Sequence, residues 1–97
     1  MTLLRHEMIV RPDGAVSYLE RLGHGLWTKE EATAWLGGGA LEVWPTCQKE
    51  WVAVCREAAY IEGHKENEHA SAFTKLRFYG AVVFLRRKSC AWLRRRR

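Results

Sequence analysis

Apolar positions in this chain come in short runs divided by glycine, proline and charge, and each run carries its own periodicity. Residues 3–10 and 15–22 flank Arg11-Pro12-Asp13-Gly14, and this pattern predicts a β-hairpin. Pro12 presets φ at the first central turn position, Asp13 suits the second, and Gly14 can take the left-handed conformation that closes a type I turn with a bulge. On the first arm Leu4, Met8 and Val10 point one way and Arg5 and Glu7 the other. On the second, Val16, Tyr18 and Leu22 alternate with Ser17 and Arg21, so one face is expected to be buried and the other wet.

After Gly23-His24-Gly25, Trp27-Thr28-Lys29-Glu30-Glu31-Ala32 has the marks of a helix start. Thr28 can cap the N–H of Glu31, the Glu31 carboxylate can reach back, and Trp27 can staple onto Ala32. Gly37-Gly38-Gly39 should end this helix, because three glycines lose too much backbone entropy to stay helical. Residues 40–44 fit a third strand, stopped by Pro45. From Pro45 or Thr46 onward, Trp51, Val54, Cys55 and Ala58 fall on one helical face with Lys49, Glu50, Arg56 and Glu57 largely on the others, which predicts a longer amphipathic helix. Residues 63–69 are polar and read as a surface turn or frayed helix end.

The run from Phe78 to Leu85 is apolar all round. Acids before it (Glu66, Glu68) and bases after it (Arg86, Arg87, Lys88) suit a helix dipole and favour a C-terminal helix. Were it a strand, it would be a central one, since Leu76, Phe78, Val82 and Phe84 on one face and Tyr79, Val83 and Leu85 on the other both want cover. The expected fold is thus α+β: an N-terminal β-hairpin and a short third strand packed against two or three helices, the last of them basic.

Size and composition narrow this little. The 97 residues suit a single small domain with one modest core, and 47% hydrophobic with 28% charged residues is the composition of a folding chain. Five tryptophans are more than such a core holds beside Phe73, Phe78, Phe84 and Tyr60. Some rings should therefore face a partner, and Trp27, Trp44 and Trp51 are the candidate interface anchors. With no apolar leader at the N-terminus and no apolar run of roughly 18 residues, a cytoplasmic protein without a membrane span is expected. Cys47, Cys55 and Cys90 are odd in number and lack a CxxC spacing, which suits buried thiols in a reducing compartment.

Charge changes the picture more. Residues 75–97 hold nine of the sixteen Lys and Arg and no Asp or Glu, leaving seven bases against eleven acids in the rest. A mildly anionic body thus carries a strongly cationic segment. Guanidinium clusters attract polyanions through counterion release and bidentate contacts, so nucleic acid or a nucleoprotein is the expected partner, with an acidic protein surface as the alternative. The candidate binding residues are Lys75, Arg77, Arg86, Arg87, Lys88, Arg94, Arg95, Arg96 and Arg97, with Trp92 placed between the basic clusters to stack on a base or to fold back on the core. In the alternative, a small accessory protein of the kind mobile elements and phages carry would inhibit or adapt a larger host machine through its Trp and Arg residues.

Other chemistry finds weaker support. Cys47, Cys55, His64 and His69 do not match zinc-finger or ribbon spacing. A Cys55 or Cys90 nucleophile with His64 or His69 lacks any third, orienting group. Aromatic residues beside arginines suit a membrane headgroup region, but the charges do not segregate to one face. Gly37-Gly38-Gly39 lacks the Lys-Ser/Thr of a phosphate loop. The sequence therefore predicts a binding protein without metal, cofactor or catalytic site.

Overall fold

The computed structural model describes residues 3–20 and 25–93. Its centre is one antiparallel sheet of five strands, β1 (Met8–Val10), β2 (Val16–Tyr18), β3 (Leu41–Pro45), β4 (Trp51–Arg56) and β5 (Val82–Arg86), ordered β2-β1-β5-β4-β3. Among the described residues only two short helices accompany it, α1 (Lys29–Trp35) and α2 (Glu68–Ser71), with 3-10 turns at Arg87–Ser89 and Ala91–Leu93. This corrects the α+β expectation: the domain is mostly β, and neither the long helix after Pro45 nor the C-terminal helix exists.

Both corrections have one cause. Trp51, Val54 and Cys55 do lie at helical spacing, but Val52 and Ala53 between them are equally apolar, so no polar stripe runs through the segment. The run is a strand buried on both faces, with Trp51, Ala53 and Cys55 in one core cluster and Val52 and Val54 in the other. In β5, Val82 and Phe84 join the first cluster and Val83 and Leu85 the second. A continuous apolar run of five or six residues, rich in valine, is what a central strand with two covered faces requires. The acids credited to a helix dipole belong elsewhere, Glu68 to the first turn of α2.

Two layers provide the cover. Over the first face lie Leu4, Ala70, Phe78 and Phe73, whose ring meets Phe84 edge-on at 5.1 Å. Over the second lie Trp27, Trp35 and Leu36 from the α1 region and Cys90, Trp92 and Leu93 from the chain end. Asn67, expected in a polar surface turn, is fully buried beneath the first layer. Its side chain donates to Val10 O and Gly80 O and accepts from Ala70 N, each at 2.9 Å, tying β1, α2 and the approach to β5 together.

The hairpin forms as its turn residues dictate. Gly14 N donates to Arg11 O and Arg11 N to Ala15 O, both at 2.9 Å, with Gly14 at φ +92°. Its facing differs from expectation: Ile9 is buried opposite Met8 and Val10, while Val16 and Tyr18 on the edge strand β2 are exposed. Leu22 and Arg21 lie outside the described residues. Thr28 and Glu31 form the reciprocal capping box of α1, at 2.8 and 3.1 Å. Gly38 N reaching Thr33 O (2.8 Å) and Gly37 N reaching Ala34 O (3.2 Å) close the helix in a Schellman arrangement.

Candidate nucleic-acid interface

Sheet register brings part of the predicted basic set to one place. Arg86, the last residue of β5, stands opposite Trp51, the first of β4. Its guanidinium carbon lies 4.8 Å over the Trp51 ring, a cation–π contact in which the buried indole serves as a shelf. Nη2 of Arg86 donates to Arg5 O at 3.3 Å, and its backbone N–H donates to Glu7 Oε2 at 2.9 Å. Glu7 also accepts from Trp27 Nε1 at 3.0 Å, so both carboxylate oxygens are occupied by neutral donors rather than by a guanidinium.

Immediately after β5 the chain turns. Arg87 N donates to Glu50 O at 2.7 Å, Cys90 N to Arg87 O at 3.1 Å, and the Cys90 thiol to Arg86 O at 3.4 Å. Trp27 N to Ser89 O (2.7 Å) and Ala91 N to Trp27 O (3.1 Å) fasten this turn to the α1 layer. A buried cysteine and a buried tryptophan thus hold three consecutive exposed cations, Arg86, Arg87 and Lys88, on a fixed backbone. They line a groove of about 600 Å³ with Glu50, Trp51 and Leu93. Among the described residues no carboxylate lies within ion-pair distance of these three side chains; the ion pairs present are Arg56–Glu62, His64–Glu62 and Arg77–Glu66.

The remaining candidates separate. Arg77 pairs with Glu66 at 3.5 Å and lines a different groove, and exposed Lys75 lies beside Pro45, Thr46 and Cys47. Arg94, Arg95, Arg96 and Arg97 lie outside the described residues. Of the candidate aromatics, Trp27 and Trp51 are buried, with Trp27 edge-on to Trp35 at 5.0 Å; their rings hold the scaffold instead of facing a partner. Trp92 is half-buried against the second core cluster. Trp44 alone of the three proposed anchors is exposed, at 40%. The Arg86–Trp51 pairing requires both segments to be strands and leaves no signature in a helical pattern of either.

Neither core cysteine is chemically poised. Burial, reinforced by Glu42, pushes the Cys55 thiol up to about 11. Burial, reinforced by Glu7 and opposed by Arg87, pushes Cys90 up to about 12. Both are protonated near neutrality, whereas nucleophilic and metal-binding cysteines are thiolates. No group of three His, Cys, Asp or Glu among the described residues could hold a metal ion. No helix there is long and apolar enough to cross a membrane. The chain matches no protein-family model, no curated protein and no solved structure.

Proposed function

We propose that this protein is a non-catalytic nucleic-acid-binding domain that grips the phosphate backbone with Arg86, Arg87 and Lys88, extended by the arginines 94–97. One observation carries the reading: three adjacent cations are exposed without a carboxylate partner among the described residues, and the first of them is pre-set by Trp51 and by the Glu7-bound backbone. Preorganised, unneutralised guanidinium groups lose less freedom on meeting a phosphate than a free tail does. Because the groove offers charge but no exposed aromatic at its floor, contact is with backbone rather than with base edges, and binding is largely blind to sequence.

Salt-dependent affinity for generic oligonucleotides tests this, read by fluorescence anisotropy. Each phosphate neutralised contributes about 0.9 to the negative log–log slope on duplex DNA and about 0.7 on single strands. Arg87→Ala/Lys88→Ala should lower that slope by roughly one to two and weaken all sequences alike. No binding at low salt, or a slope near zero, overturns the proposal. Retention of a protein partner from host extract after nuclease treatment would point to the acidic-surface alternative.

A further inference from the structure

The geometry points to a second interface, separate from the basic groove: the open edge of β3, which we infer pairs with β3 of a second copy to continue the sheet across a two-fold axis. Among the described residues β3 is outermost and pairs only with β4. Glu57 N donates to Ala40 O at 3.0 Å, and in this register Glu42 and Trp44 also exchange bonds with β4. By alternation Leu41, Val43 and Pro45 turn their backbone groups outward. Among the described residues nothing bonds to those of Leu41 or Val43. The five-residue edge bears no Lys or Arg; its one charge, Glu42, accepts from Trp44 Nε1 of the same strand, and its one proline stands at the end, where it removes a donor but keeps an acceptor.

Self-pairing selects one register. Centred on Val43, two copies form reciprocal Val43 N–H to Val43 C=O bonds, and each Leu41 N–H meets a Pro45 C=O, so Pro45, which has no donor, serves as acceptor at the end of the ladder. Glu42 of one copy then faces Trp44 of the other. A register centred on Glu42 sets two carboxylates directly opposite, which is destabilising. One centred on Trp44 aligns Pro45 with Val43 and loses the Leu41 bonds. The favoured register covers the exposed Trp44 ring, whose Nε1 already donates to Glu42 Oε1 within its own chain at 3.2 Å. Tyr60 and Leu76, 68% and 36% exposed, line the groove beside Trp44 and flank the pairing.

So short a shared edge makes a weak dimer, read by sedimentation velocity from about 10 µM to about 1 mM. The mass should rise from 11.3 kDa toward twice that value as concentration increases. Amide exchange at Val43 should slow in step, because in the monomer its N–H faces water. Val43→Pro removes the central donors at an outward edge position, where proline leaves the β3–β4 ladder intact, and should keep the protein monomeric throughout. If that variant fails to fold, concentration-dependent protection of the wild-type Val43 amide decides instead. A constant monomer mass, a folded Val43→Pro variant that still dimerises, or Val43 exchange independent of concentration each overturns the inference. Dimerisation should survive salt that releases oligonucleotide, since two copies of net charge +5 repel less when screened. The two interfaces can therefore fail independently.

Discussion

Asn67→Ala should be among the most damaging single changes in this protein, although its side chain is polar and lies in a segment that looks like surface. Its carboxamide is fully buried and makes three hydrogen bonds of 2.9 Å, to Val10 O, Gly80 O and Ala70 N. Truncation leaves Gly80 O and Ala70 N without this partner in the interior and strips Val10 O, which pairs with Val82 in the sheet, of its second bond. An unsatisfied buried group costs about 1–3 kcal/mol. Water entering the vacated space would relieve part of this, so the expected loss is about 3–4 kcal/mol, a large fraction of the ~5–15 kcal/mol typical of a whole domain. Urea denaturation followed by tryptophan fluorescence measures it, provided the denaturant slope is unchanged. Asn67→Asp is the informative companion. It keeps the acceptor for Ala70 N but sets carboxylate oxygens against two carbonyls, so it should be at least as destabilising at neutral pH and recover partly on acidification, when protonation restores one donor. A loss below about 1 kcal/mol for Asn67→Ala would refute the reasoning, showing that the backbone groups find other partners.

Further outcomes follow from the same contacts. In the native state a disulfide reagent at pH 8 should modify exposed Cys47 and spare Cys55 and Cys90 until the protein unfolds; rapid labelling of all three would contradict the core placement. Unfolded thiols ionise near 9.0, whereas the folded ones stay protonated to about 11 and about 12. This contribution to stability is therefore complete below pH 9 and is lost as pH rises through that window, an alkaline decline that Cys55→Ala/Cys90→Ala should flatten in thermal melts. Gly37→Ala and Gly39→Ala share a left-handed backbone, at φ +88° and +86°, but only at Gly39 would a Cβ lie 3.1 Å from Arg56 Nη2. Since Arg56 is tethered to Glu62 at 2.6 and 2.9 Å, Gly39→Ala should cost clearly more than the roughly 1–2 kcal/mol of the left-handed conformation alone. Equal losses for the two in chemical denaturation would show that Arg56 yields freely.

The features legible along the chain are local ones. The turn at Pro12-Asp13-Gly14, the Thr28–Glu31 capping box, the glycine stop after α1 and the third strand each depend on a few neighbouring residues, and each forms, although the strand runs from Leu41 through Pro45 instead of stopping before the proline. Tertiary structure decided the state of residues 51–56 and 82–86. An apolar run without a polar stripe can be a buried helix or a central strand, and only the cover on both faces chooses between them. That decision carried the site with it: pairing β4 to β5 sets Arg86 over Trp51 and leaves three cations of the basic segment on one groove, while Arg77 is neutralised by Glu66 elsewhere. Net charge and its segregation are sums over the chain and were visible at once. Which charges remain unpaired, and which tryptophans remain uncovered, depends on contacts between residues far apart in sequence, and these exist only in the folded sheet.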